Sequence, residues 1–128
     1  MTEHTANIIK GGSFLTEDVD INRVFTPEDF TDEHKMIAKT TEDYVKNDVF
    51  PLIPNLENHE FEHSVNLLKK AGELGLLAVD VPEEYDGLGL DKITSALVTE
   101  KMAVVGGFSI THGAHVGIGS LPIVLFGN

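Results

Sequence analysis

After Lys101 the chain contains no Asp, Glu, Lys or Arg through Asn128, and the same stretch holds six glycines. A helix drawn from such residues has no charged face to turn toward water, so helices here are expected to be buried almost all round. Two inner helices are expected, roughly Ser109 to Gly117 and Leu121 to Phe126, with Ser120 capping the second. A bilayer span is the competing reading. Gly, Ser, Thr, Asn and two His interrupt the apolar content and no basic flank anchors it, so no transmembrane segment is expected.

Upstream, helical spacing dominates and no stretch alternates long enough with the two-residue period of a strand. Residues 1–25 mix Gly, Thr, Asn and Asp and read as a flexible arm, with the ordered domain spanning 26–128. Thr26-Pro27-Glu28-Asp29 carries a capping hydroxyl, a Pro suited to a first turn and acids at the positive end of a helix dipole, which predicts a short helical turn. Behind Thr31-Asp32-Glu33, the residues Ile37, Thr41, Tyr44, Val45, Val49 and Leu52 recur every three or four positions and predict a long helix stopped by Pro51 and Pro54. Val65, Leu68, Ala71 and Leu74 mark a second helix, ended by Gly75 in a left-handed conformation. Leu76 to Val81, before Pro82 and Asp86-Gly87, reads as an extended connection. Asp91 caps a third helix carrying Ile93, Ala96, Leu97, Met102 and Val104 and ending at Gly106-Gly107.

Composition removes several functions. With a formal net charge of −12 and no cluster of Lys and Arg, nothing neutralises phosphates, which excludes nucleic acid as a partner and argues against a polyanionic ligand head resting mainly on this segment. The chain has no Cys, so there is no thiol nucleophile and no thiolate metal site. The acidic first thirty residues lack the features of a secretory or transit signal, and a cytoplasmic location is expected.

His59-Glu60-Phe61-Glu62-His63 fits a zinc motif in which two His on one helix face hold the metal and a Glu activates water. A metallohydrolase built on His59, Glu60 and His63 is thus one reading. Against it, Asn66 and Lys69 stand where the extended motif wants Gly and a third His, and the segment follows Pro54-Asn55. His112 and His115, three apart, read as a hydrogen-bonded core feature. Gly113, Ala114 and Gly117 leave a bare helix face, suited either to a closely packed neighbour or to a cavity. Gly87-Leu88-Gly89 and Gly117-Ile118-Gly119 lack the third glycine, preceding strand and later acid of a dinucleotide fingerprint.

Several segments in order carry a resemblance. Lys70-Ala71-Gly72-Glu73-Leu74-Gly75-Leu76, then Val81-Pro82-Glu83-Glu84-Tyr85-Asp86-Gly87-Leu88-Gly89-Leu90, then Glu100, and finally Pro122 to Asn128 are similar to the N-terminal domain of the acyl-CoA dehydrogenases over about residues 30–128. Gly12-Ser13-Phe14-Leu15, Gly113-Ala114-His115 and Leu125-Phe126-Gly127 resemble the very-long-chain branch in particular. The resemblance implies an all-α fold, an orthogonal or up-and-down bundle of about five to six helices. It implies a parent flavoenzyme with bound FAD, acting in fatty-acid β-oxidation, in which a Glu removes the α-proton of an acyl-CoA thioester while the β-hydrogen leaves as hydride to the flavin. Aligning these two events is a matter of positioning in a narrow slot.

The family's flavin-holding middle β-domain and C-terminal helical domain, and its catalytic base, have no counterpart in this sequence. No catalytic, cofactor or metal residue is therefore assigned, and this chain alone is expected to bind no FAD. What the resemblance does imply is one wall of the acyl-tail slot, from the helix Ile110 to Ile118 with Thr111 and Ile118 lining it, and Gly113, Ala114 and Gly117 are expected to leave that slot deep enough for a long acyl chain. At Ala114, shorter-chain members place a bulky side chain that closes the floor. Expected partners are a long-chain fatty acyl-CoA, electron-transferring flavoprotein and further copies of the chain. The remaining alternative is a non-catalytic helical interaction module.

Overall fold

Helix-forming punctuation governs the path of the chain from its first ordered turns onward. The computed structural model describes residues 8, 9 and 11–127, so the part of the expected arm at residues 1–7 and 10 lies outside the described residues. The chain divides at Thr31–Asp32 into two units. In the first, short helical turns form at Ser13–Leu15, Ile21–Arg23 and Pro27–Asp29. The backbone N–H of Thr26 donates to Asp29 Oδ2 at 2.9 Å, closing the Pro27 turn as its sequence predicted.

Every regular element of the second unit is a helix, with no strand among the described residues. Helix α1 spans Asp32–Tyr44 and opens on two acids, Asp32 and Glu33. Pro51 and Pro54 do not stop it. The chain passes through a π-helical turn at Val45–Val49 and a 3₁₀ turn at Phe50–Leu52 into α2, Ile53–Glu57. Each proline stands second in a fresh segment, where an N–H would lack an intrahelical acceptor in any case, so its loss costs little. The reversal comes instead at His59, whose φ of 61° is left-handed.

Helix α3 covers Phe61–Glu73 and turns Leu67 and Ala71 into the core. Val65 and Leu74 of the predicted stripe are exposed; the helix is rotated so that the Leu67 carbonyl accepts the buried Tyr44 hydroxyl at 2.8 Å. Burial pushes the Tyr44 hydroxyl far above its ordinary range, with the nearby Asp48 adding to the effect, which keeps it a donor. Gly75 takes the predicted left-handed conformation at φ 77°.

The connection from Leu76 to Leu90 is non-helical as expected, apart from a 3₁₀ turn at Glu83–Tyr85. It is folded back on itself rather than extended, because Leu88 N–H donates to Ala78 O and Leu90 N–H to Val79 O, both at 2.9 Å. Helix α4, Lys92–Met102, buries Thr94, Leu97, Val98 and Met102. Ala96 and Val104, expected on that face, are exposed. The core gathers Tyr44, Val49, Ala71, Leu76, Met102 and Phe108 from across the unit.

Asp91 caps α4 as predicted, accepting the Thr94 N–H and hydroxyl, each at 2.8 Å. Its second role was not visible in the sequence: the buried His34 of α1 places Nε2 at 3.0 Å from Asp91 Oδ2, tying the two helices together. Burial pushes the Asp91 carboxyl up, but the Thr94 and His34 hydrogen bonds outweigh it and hold the group below its ordinary value. The unfolded chain therefore binds this proton more tightly than the native one. The resulting stability is complete above about pH 4 and is lost as pH falls through the native value. Asp91→Ala should cost about 1–2 kcal/mol at neutral pH, and Asp91→Asn, which keeps the capping oxygen, clearly less. Equilibrium urea unfolding checks both; equal losses would mean that capping is not the source.

Candidate functional site

The charge-free segment forms one continuous helix built in three registers. Helix α5 spans Gly107–Gly113, a π-helical stretch Ala114–Ser120, and α6 Leu121–Phe126. Ser120 does not cap α6. It is itself helical, and its hydroxyl donates to His115 O at 2.8 Å, taking up a carbonyl of the widened turn. Pro122 follows in the first turn of α6, where the register change leaves no ladder bond for it to break.

The expectation of burial all round fails here. Only Phe108 and His112 of these twenty residues are buried, while Ile118 is 84% and Phe126 83% exposed. The absence of charge reflects an apolar face that no other element among the described residues covers. With a mean hydropathy of 1.3, Gly107–Phe126 is long and apolar enough to cross a bilayer by length and composition. Its buried edge is nevertheless built into a helical core, through Phe108 against Tyr44, ring centroids 6.5 Å apart.

Of the six residues assigned to the wall, Ile110, Thr111, Gly113, Ala114 and Ile118 are exposed and Gly117 is half-buried. Ile110, Ala114 and Ile118 fall four apart and make an unpartnered strip. A Cβ added at Gly113 or Gly117 would meet no atom within 4 Å, so neither glycine is there to admit a closely packed helix of this chain. The two sides of the helix differ. Gly113 and Gly117 border a groove of about 310 Å³ shared with Leu76 and Val98, whereas Thr111 borders a separate cleft of about 700 Å³. The Thr111 hydroxyl donates back to Gly107 O at 3.3 Å, satisfying its donor within the helix.

His112 and His115 do not act as a pair. His112 is buried, and its Nε2 lies 3.1 Å from Leu76 O; since a carbonyl only accepts, Nε2 carries the proton. Burial pushes its affinity for a second proton below the ordinary value and His115 adds to this, against the Leu76 carbonyl. It is a strut between the helix and the turn after α3. His115 is exposed.

The zinc reading is overturned by backbone conformation. His59 lies outside α3 in a left-handed residue and Glu60 precedes the helix, so only His63 of the motif trio is helical. His63 Nε2 is 3.3 Å from Glu60 Oε2, and among the described residues no group of three or more His, Asp or Glu could hold a metal. The Gly87-Leu88-Gly89 loop is likewise no phosphate cradle. Its three N–H groups donate internally, to Pro82 O, Ala78 O and Val81 O. A flavin pyrophosphate thus finds neither cations nor free N–H groups in that loop.

Comparison with known proteins adds what the geometry cannot. Residues 31–128 match the family model described as acyl-CoA dehydrogenase, N-terminal domain. A probable acyl-CoA dehydrogenase of Bacillus subtilis (strain 168) is 69% identical over 128 residues, covering 100% of this chain and 22% of that protein. The mitochondrial short-chain specific acyl-CoA dehydrogenase of Rattus norvegicus is 32% identical over 83 residues, covering 65% of this chain and 20% of that one. Among solved structures, an acyl-CoA dehydrogenase complexed with FAD from Bacillus anthracis superposes with a TM-score of 0.88 at 69% identity, over 94% of this chain and 21% of that one. The chain therefore spans about a fifth of the length of these relatives.

Proposed function

Because the chain belongs to the acyl-CoA dehydrogenase family, as its N-terminal helical domain, we propose that the polypeptide carrying it is an FAD-dependent enzyme that introduces an α,β double bond into long-chain fatty acyl-CoA thioesters. In this reading residues 26–128 are the helical domain and residues 1–25 its arm. Bound flavin supplies the oxidant. This chain's own contribution is the wall beside the hydrocarbon tail, made by Ile110, Thr111, Gly113, Ala114, Gly117 and Ile118. The single observation that carries the reading is the unpartnered apolar strip of the Gly107–Phe126 helix, bare at Gly113 and Ala114. A long hydrocarbon gains free energy with every methylene it removes from water, so such a strip favours a tail over a polar substrate.

Electron-transferring flavoprotein as acceptor, assembly into homo-oligomers, a cytoplasmic location and membership of the very-long-chain branch complete the proposal. The measurement that tests it is turnover of saturated acyl-CoAs by the full-length protein with an artificial electron acceptor. Appearance of the enoyl-CoA product, with kcat/KM rising toward long tails, is the expected result. No dehydrogenation at any tail length would overturn it.

A further inference from the structure

The Gly107–Phe126 helix, which carries the proposed tail wall, is held to its unit by few side chains. Phe108 and His112 are its buried residues, one turn apart near its start, and the π-helical stretch Ala114–Ser120 that follows buries none. Phe108 packs on Tyr44 with ring centroids 6.5 Å apart, an apolar contact without direction, so it does not fix how far the helix is turned about its own axis. His112 does. Its Nε2–H donates to Leu76 O at 3.1 Å, and such a bond weakens steeply as its angle departs from linear. The acceptor is itself fixed, because Leu76 is 1% exposed and its N–H donates to Ala71 O of α3 at 2.9 Å.

We propose that His112 is a positioning residue for the wall: its hydrogen bond to Leu76 sets the rotation of the helix, and with it the direction in which Ile110 and Ala114 face the tail. The inference rests on reading this helix as an acyl-tail wall and goes beyond it by naming what aims the wall. Successive residues of a helix are about 100° apart, so Ile110 and Ala114, each two positions from His112, lie about 160° from it, on the nearly opposite face. A turn of about 10° about the axis carries that face by about 1 Å. A gap of this size forfeits about a quarter to a half of a dispersion contact, and the loss accumulates with every methylene that lies along the wall. An apolar side chain at position 112 would fill the same space without giving a direction. A buried imidazole that donates to a fixed carbonyl gives one.

Two variants of the full-length protein separate aim from bulk. His112→Leu keeps an apolar side chain in the space and removes the donor, whereas His112→Gln places an amide N–H at a similar reach. Steady-state kcat and KM are measured with octanoyl- and palmitoyl-CoA. His112→Leu should raise KM for palmitoyl-CoA at least about tenfold, and for octanoyl-CoA by less than about threefold, with kcat held within about twofold, the pattern of lost tail binding. His112→Gln should return both KM values to within about threefold of the parent's. A merely structural role would instead lower kcat at both tail lengths together, by removing folded enzyme, and that result overturns the proposal. So does a His112→Leu enzyme that behaves like its parent, or a His112→Gln enzyme that behaves like His112→Leu. Should His112→Leu fail to fold, His112→Asn, an amide one methylene too short to reach Leu76 O, replaces it with the same outcomes expected. If the parent itself dehydrogenates neither thioester, the wall reading falls and this one with it, a result distinct from any difference among the variants.

Discussion

Replacing Gly87 with alanine is expected to destabilise the helical domain by about 3 kcal/mol, one of the larger effects available to a single methyl group. An added Cβ would lie 2.0 Å from the carbonyl oxygen of Val81 and 2.4 Å from its carbonyl carbon. These are backbone atoms and cannot swing aside. Val81 is fixed at both ends, its N–H donating to Ala78 O at 3.2 Å and its carbonyl accepting Gly89 N–H at 2.8 Å. Making room must therefore open the turn and put at risk the Gly87–Pro82 and Leu88–Ala78 bonds as well, each contributing about 1 kcal/mol net. The turn also follows directly on the buried Leu76 and Val79, so its opening loosens the core. Gly113→Ala is the contrast: it meets no neighbour and removes a glycine from a helix, so it should be neutral or stabilising by up to about 1 kcal/mol. Thermal and urea unfolding of the two variants beside the parent would show the difference, and a Gly87→Ala protein that unfolds like its parent would mean that the close approach to Val81 does not exist.

What could be read from the sequence was chemistry acting over a few residues. Asp91 reads as a cap because its acceptor is needed by the N–H of Thr94 three residues on, and Gly75 as a helix end because a left-handed residue is needed there. Thr41, Tyr44, Val45 and Val49 read as a buried face because one helix's own geometry puts them together, and they are buried. Features that depend on register over longer distances were not legible. Pro51 and Pro54 break a helix only where an i−4 bond is due, and the π-helical turn at Val45–Val49 removes that obligation without any signal in composition. The zinc motif failed on one dihedral angle, that of His59. His34 bears on Asp91 from 57 positions away, and only the packing of α1 on α4 brings them together. For the site, the bareness of Gly113 and Gly117 was legible, while what they face was not. The same lack of charge that promised burial describes an apolar surface equally well.

Ala114→Phe should change which substrates the full-length enzyme accepts while leaving the domain folded. Ala114 is exposed and lies between Ile110 and Ile118 on the unpartnered strip, in ordinary helical geometry at φ −64° and ψ −40°. A side chain at this exposed position points away from the core, so the substitution should alter unfolding free energy by no more than about 0.5 kcal/mol. Projected over the strip, however, it occupies the space of several methylenes. Because each methylene excluded from an apolar pocket forfeits about 1–3 kcal/mol of transition-state binding, kcat/KM for palmitoyl-CoA relative to octanoyl-CoA should fall at least about tenfold. A uniform loss across all tail lengths would place Ala114 away from the tail.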